Sequence, residues 1–269
     1  MREVVAGTFG GHRLGRIMAA NIPDDRPTSF IIDHLPEPLG TEDVPPTLWW
    51  VDTRQASPRW VAAGETVLHL LWSRPDRPTV VDVWSLGPGE PVEYEWAPGD
   101  FLLVPGGTPF RIGAGAVAVI TGTRESLTEI GDCESASMGG PRFAPTHGLS
   151  VFDGFNRQTF GAATPTLAMT RWKLTHPQPL PLPAGRPAWL VNLVTPLTIA
   201  WPGGMEQLER LEPRILPPNL PITAFPNDLG YLLMVWKPDL EREVIPPLRS
   251  AGYPQGEFAT LGIPAFNPE

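Results

Sequence analysis

Pro98-Gly99-Asp100-Phe101-Leu102-Leu103-Val104-Pro105-Gly106-Gly107-Thr108-Pro109-Phe110 is the stretch on which the fold turns. Gly99 and Asp100 supply a tight turn, because glycine enters positive φ without steric cost and aspartate tolerates turn geometry. The apolar run 101–104 then reads as a strand that ends in the Pro105-Gly106-Gly107 corner. The chain re-enters as a strand at Phe110.

Similar units surround it. Residues 28–33, 47–51, 66–72, 79–86, 92–96 and 116–121 are short and rich in β-branched and aromatic side chains, and they read as strands. Pro75-Asp76, Gly87-Pro88-Gly89 and the turn and corner above punctuate them. Regular short strands between turn signals predict an all-β barrel or sandwich. Residues 130–146 change character, with Gly131, Glu134, Ser135, Ser137, Gly139, Gly140 and Pro141 forming a polar bridge. Further strands are expected at 167–174, 188–194, 197–201, 206–211, 222–225 and 231–236. Both halves run through one order of events: an apolar strand pair, an acidic strand, a proline corner and an apolar closing strand. A duplicated barrel follows, divided as 1–130, a linker at 131–146, and 147–269. Only 14–20 and 239–244 have helical character, a turn or two each, and the proline-bearing stretch 246–269 is expected to wrap over the body without forming an element.

Composition supports this and removes several functions. The chain has 269 residues with 35 prolines and 27 glycines. That is far more proline than the usual ~5%, and interior proline breaks long helices. Ten tryptophans and 42% apolar residues are enough for a substantial core. A net charge of -9 lacks the cationic footprint that a phosphate backbone requires, so nucleic acid is excluded as a partner. No apolar run approaches the ~18 residues of a membrane span, and the opening residues lack the apolar region of a signal peptide. The expectation is a soluble, cytoplasmic protein. A single cysteine, Cys133, excludes an intrachain disulfide framework and a multi-thiolate metal site.

The spacing of glycine, proline and glycine from Gly99 to Gly107, with Phe110 where a histidine follows, resembles the second motif of the cupin superfamily. Gly107-Thr108-Pro109-Phe110-Arg111-Ile112-Gly113-Ala114-Gly115 is similar to the "G-T-x-H-A-I-G-x-G" stretch of type I mannose-6-phosphate isomerases. Phe9-Gly10-Gly11-His12-Arg13-Leu14 resembles that family's "W-G-G-x-x-L". Ser29-Phe30-Ile31-Ile32-Asp33-His34 stands in the place of its "E-x-W-x-x-S", and Val81-Asp82-Val83-Trp84 is similar to its "T-E-x-W". The likeness covers roughly the first 130 residues discontinuously, with a looser second copy. It implies two cupin-type (jelly-roll) β-barrels in one chain.

Departures from the pattern bear on mechanism. The family holds one zinc through a glutamine and a histidine of a "Q-x-H-P" strand, the "T-E-x-W" glutamate and the motif-two histidine. Here Val67 and His69, or His69 and Leu71, take the first two places. Asp82 takes the glutamate's, one methylene shorter, and Phe110 replaces the last ligand. Near 127–132, where the family carries its catalytic arginine, no arginine aligns. A catalytic zinc usually has three protein ligands and one open position, and at most two ligands survive.

His69 reads either as a hydrogen-bonded core histidine or as a residue that contacts sugar or metal. Asp82, among Val80, Val81, Val83 and Trp84, must be paired or hydrogen-bonded, and an interior pair with His69 would meet that need. Trp49, Trp50, Trp72, Trp84 and Trp96 form core or a sugar-stacking surface. His147 could fold over a barrel mouth. From Pro177 to Glu269 there is no histidine.

The leading expectation is therefore an isomerase-like bicupin without zinc, cofactor or catalytic residues, which binds a sugar, sugar phosphate or similar small polar metabolite through His69, Asp82, Trp84 and Phe110. A second expectation is an active isomerase with a rearranged metal site on His69, Asp82 and His147. A third is an oligomerisation scaffold, and a homo-oligomer is compatible with each.

Overall fold

The computed structural model describes residues 4–9, 12–17, 28–32, 47–53, 56–76, 78–84, 90–122, 127–130, 144–216 and 218–264. β1 (Val4–Phe9) and β2 (His12–Ile17) form an antiparallel hairpin with Phe9 opposite His12. The helical turn expected over 14–20 is thus a strand through Ile17. Strand pairing overrides the weak local helical preference.

One compact unit contains β3 (Thr28–Ile32), β4 (Thr47–Thr53), β5 (Trp60–Val61), β6 (Thr66–Ser73), β7 (Thr79–Val83), β8 (Val92–Trp96), β9 (Phe101–Val104), β10 (Phe110–Ile112), β11 (Ala116–Gly122) and β12 (Thr128–Glu129), and it runs to His147. Its sheets have the orders β3-β4-β11-β6-β9 and β12-β5-β10-β7-β8. The strand expected over 79–86 ends at Val83.

The other unit groups β1 and β2 with the chain from Gly148 onward. It contains β13 (Leu149–Asp153), β14 (Asn156–Ala163), β15 (Ala168–Leu174), β16 (Gln178–Leu180), β17 (Ala188–Asn192), β18 (Leu197–Trp201), β19 (Gly204–Leu208), β20 (Pro213–Leu216), β21 (Ile222–Pro226) and β22 (Gly230–Trp236). Its sheets are β13-β14-β15-β22-β17-β20 and β16-β21-β18-β19. The order β3-β4-β11-β6-β9 thus recurs as β14-β15-β22-β17-β20, and β5-β10-β7-β8 recurs as β16-β21-β18-β19.

The C-terminal stretch, expected to form no element, contains two short helices, α1 (Ile245–Ser250) and α2 (Gln255–Phe258). A π-helical turn, Leu240–Val244, leads into α1 and begins at Asp239, whose carboxylate accepts the Arg242 N–H. Pro246 and Pro247 sit in the first turn of α1, where the missing N–H has no intrahelical partner to lose.

Side chains on a strand alternate between faces, and in the first unit one face of each sheet supplies the core. Leu68 and Leu70 of β6, Val81 of β7, Trp96 of β8, Leu102 and Val104 of β9, and Phe110 and Ile112 of β10 belong to one buried cluster. The turn before β9 fixes this register. Gly99, at φ 99°, donates its N–H to the Leu70 carbonyl at 2.7 Å, and the Asp100 carboxylate accepts the Ala97 N–H at 3.0 Å. The Leu70 N–H returns to the Asp100 carbonyl at 3.1 Å. The corner after β9 requires glycine for another reason: a Cβ on Gly106 would lie 2.1 Å from the Ala63 carbonyl oxygen.

The turn recurs in the second unit under other residues. Leu211, at φ 65°, donates to the Asn192 carbonyl, the Glu212 carboxylate accepts the Glu209 N–H, and the Asn192 N–H reaches the Glu212 carbonyl. Gly99-Asp100 and Leu211-Glu212 are equivalent.

Candidate functional site

Phe110 opens β10 opposite Val83 of β7 and Trp60 of β5. Its side chain is 0% exposed and meets the Trp60 ring edge-on, with centroids 6.0 Å apart. Leu68, Leu70, Val81, Leu102 and Ile112 belong to the same buried apolar cluster. A zinc ion at this place does not fit the residues present: the side chains of that cluster are apolar, and divalent zinc needs nitrogen, sulfur or carboxylate oxygen. Among the described residues, no three His, Cys, Asp or Glu side chains gather into a metal-holding group.

His69 does not join this interior. It lies between Leu68 and Leu70 on β6, so it projects from the opposite face of the sheet, where it is 0% exposed. Its ring stacks on Phe101 at 4.1 Å and 11°, and Nδ1 lies 2.9 Å from the Asp100 carbonyl oxygen. A carbonyl only accepts, so Nδ1 carries the proton in this bond. The expected interior pair of His69 with Asp82 is therefore corrected. The two stand in different sheets with different partners.

Asp82 lies next to the inward Val81 and so faces outward. Its Oδ2 accepts both Nε (2.8 Å) and Nη2 (2.5 Å) of Arg111, its cross-strand partner on β10. The Arg111 guanidinium lies 5.5 Å from the centre of the half-buried Trp84 ring, and that of Arg59 lies 4.4 Å from it. Both separations fall within cation–π range. Of the four expected ligand-contacting residues, Asp82 and Trp84 therefore share one outward cluster, while His69 and Phe110 are sealed inside.

His147 does not supply a third metal ligand for His69 and Asp82: its Nδ1 pairs with Oδ1 of Asp100. Trp96 is core and donates Nε1–H to the Asp100 carbonyl at 3.3 Å, whereas Trp72 is half exposed. The five tryptophans are thus no single stacking surface. The side chains of Trp49 and Trp50, and all of Cys133, lie outside the described residues.

The second unit holds a polar feature that the sequence did not announce. Arg214, with a side chain only 3% exposed, pairs with Glu206 and with Glu212, the latter at 3.1 Å. Burial opposes its charge, but hydrogen bonding and attraction from Glu206, then Glu212, outweigh that and hold its pKa above the ordinary arginine value. Arg214 pairs with Leu190 on β17 as Leu102 pairs with Leu68 on β6, so it fills the place of a leucine in the first unit. Only the alignment of Leu211-Glu212 with Gly99-Asp100 would have exposed this equivalence.

No family model and no curated protein matches this chain. Solved structures do. Mannose 6-phosphate isomerase from Bacillus subtilis is 10% identical with a TM-score of 0.57, over 71% of this chain and 75% of that one. Oxalate decarboxylase from Bacillus subtilis is 9% identical with a TM-score of 0.59, over 82% and 74%. A second oxalate decarboxylase structure, studied for substrate binding and a reaction specificity switch, is 9% identical with a TM-score of 0.62, over 82% and 75%. At such identities the likeness concerns architecture, and with the strand order above the chain has the all-β cupin fold.

Proposed function

We propose that this protein is a bicupin that keeps an isomerase-like scaffold without zinc-dependent isomerisation, and that it acts by binding a sugar, a sugar phosphate or a similar small polar metabolite. The observation that carries the first half is the fully enclosed Phe110, clustered with leucine and valine where the resemblance places a metal ligand. Aldose–ketose interconversion needs a base and an electrophile that stabilises the enediolate oxygens. Neither role is open to that carbon-lined interior. The second half draws support from the architectural likeness to mannose 6-phosphate isomerase. Of the four residues expected to touch a ligand, Trp84 is partly exposed, Asp82 is buried at 7% exposure under its Arg111 partner, and His69 and Phe110 are fully enclosed.

Elemental analysis of untagged protein, together with an isomerisation assay on mannose 6-phosphate, tests the first half. The expected result is substoichiometric zinc and no turnover. Near-stoichiometric zinc that is lost on His69→Ala would overturn it. A thermal-shift panel of sugars and sugar phosphates tests the second half. A ligand at 100 times its Kd adds about 2.7 kcal/mol of apparent stability, so a true ligand raises the melting temperature measurably. A panel without any shift removes the binding half.

A further inference from the structure

The second unit contains a cleft of about 830 Å³ between β13–β14–β15 and β16, closed on one side by α1 and Tyr253. That volume lies within the roughly 300–1,000 Å³ common to small-molecule sites. Ile222, which begins β21 as Phe110 begins β10, does not line it. The cleft is therefore a different place in the barrel from the one occupied by Phe110 in the first unit.

Its walls are held in position. The Tyr253 hydroxyl donates to the Ser150 carbonyl and accepts the Ser150 N–H, both at 3.0 Å, which ties the segment after α1 to β13. The Gln178 amide is fully used: Nε2 donates to Asp153 at 2.9 Å and to the Pro179 carbonyl, and Oε1 accepts from Asn156 at 2.7 Å.

Two neighbouring groups are unused. Gln158 and Trp172 face each other across β14 and β15, line the cleft, and are only 6% and 3% exposed. Among the described residues the Trp172 indole N–H has no acceptor and the Gln158 amide makes no hydrogen bond. A buried polar group without a partner is uncommon in a native protein unless a ligand or water meets it, and the Trp172 indole N–H is one such group beside the cleft-lining Gln158 amide. None of the lining residues is cationic, and Asp153 is the one carboxylate among them. A phosphate or carboxylate ligand would find no counter-charge there. The remaining wall is apolar and aromatic, from Trp172, Leu180, Pro247 and Tyr253.

We infer that this cleft binds a neutral polyhydroxylated molecule of sugar size, with the Gln158 amide taking its hydroxyl groups and the aromatic wall its C–H face. The inference deepens the binding half of the proposal above, rests on it, and is independent of the zinc half.

Calorimetric titration of the full chain with mannose, glucose, maltose, cellobiose and the 6-phosphates of the two monosaccharides tests it. The expected result is saturable binding of at least one neutral sugar, with any 6-phosphate weaker than its parent. Gln158→Leu should weaken that binding by about tenfold or more. Ala251→Trp, an exposed position on the cleft wall, should abolish it by filling the space, and it serves where Gln158→Leu fails to fold. The absence of saturation by any neutral sugar overturns the assignment, as does tighter binding of a phosphate. Wild-type affinity in the two variants, each shown folded by its melting curve, would place the bound sugar elsewhere: the cleft would fail while the binding proposal survived. Zinc or turnover would defeat the zinc half alone.

Discussion

A phenylalanine ring at position 110 fills space that a smaller polar side chain would leave to solvent or metal, and its contacts make that space part of the core. Phe110→Ala should cost about 3–5 kcal/mol, because a large buried aromatic leaves a cavity that its neighbours only partly close; chemical unfolding reads the loss. Phe110→His should not create isomerase turnover on mannose 6-phosphate, since the buried cluster that the new imidazole would enter is apolar and offers a metal no further donor. In the second unit, Arg214→Leu copies the residue found at the equivalent Leu102, yet it should destabilise by about 3–5 kcal/mol, because it removes the cation that faces the buried Glu212 carboxylate. Adding Glu212→Gln should recover much of the loss, because a glutamine oxygen still accepts the Glu209 N–H. The resemblance to the cupin motif singled out Phe110, whose enclosure is a finding of the structure. The direction of His69 was not legible in the sequence. Its strand is apolar on both faces, so alternation is silent, and only the burial of Leu68 and Leu70 in the cluster of Phe110 decides which way the imidazole turns.

The turns before β9 and β20 show how one local geometry is reached by unlike sequences. Gly99 adopts positive φ freely, whereas Leu211 holds φ 65° against the clash of its Cβ. Gly99→Ala should therefore cost about 1–2 kcal/mol, while Leu211→Gly should be neutral or stabilising, since relief of strain offsets the greater freedom of the unfolded glycine. Denaturation midpoints of the two variants provide the check. This asymmetry explains what was legible at this scale. The first turn announces itself through glycine and aspartate, and the strands on either side of it fall where expected. The second carries Leu211 where the first has glycine, and its resemblance to the turn before a cupin's closing strands lies in residues 211–217; the strand expected at 206–211 instead spans Gly204–Leu208 before that turn. The hairpin of β13 and β14 went unread although Asp153-Gly154 marks it, with Gly154 at φ 58°. α1 was hidden by Pro246-Pro247, which read as breakers except in a helix's first turn.

Across the whole chain, strand order repeats while contents diverge. The duplication was legible as a repeated order of apolar runs, acidic strands and proline corners, because burial of a sheet face imposes that rhythm whatever the residue identities. What each barrel encloses was not legible, because Leu102 and Arg214 occupy one topological place with opposite chemistry. If the two units are this independent in their interiors, substitutions that empty one should leave the other's ligand response intact: Phe110→Ala should lower the melting temperature yet preserve the shift produced by a neutral sugar. Loss of that shift in a still-folded variant would argue against separate roles. The shared turn also supplies an internal reference. Exchanging residues 97–100 with 209–212 compares the same backbone bend in two surroundings within a single polypeptide, so ageing, expression and solvent are matched by construction. That internal control comes from a bend of four residues that the chain makes twice.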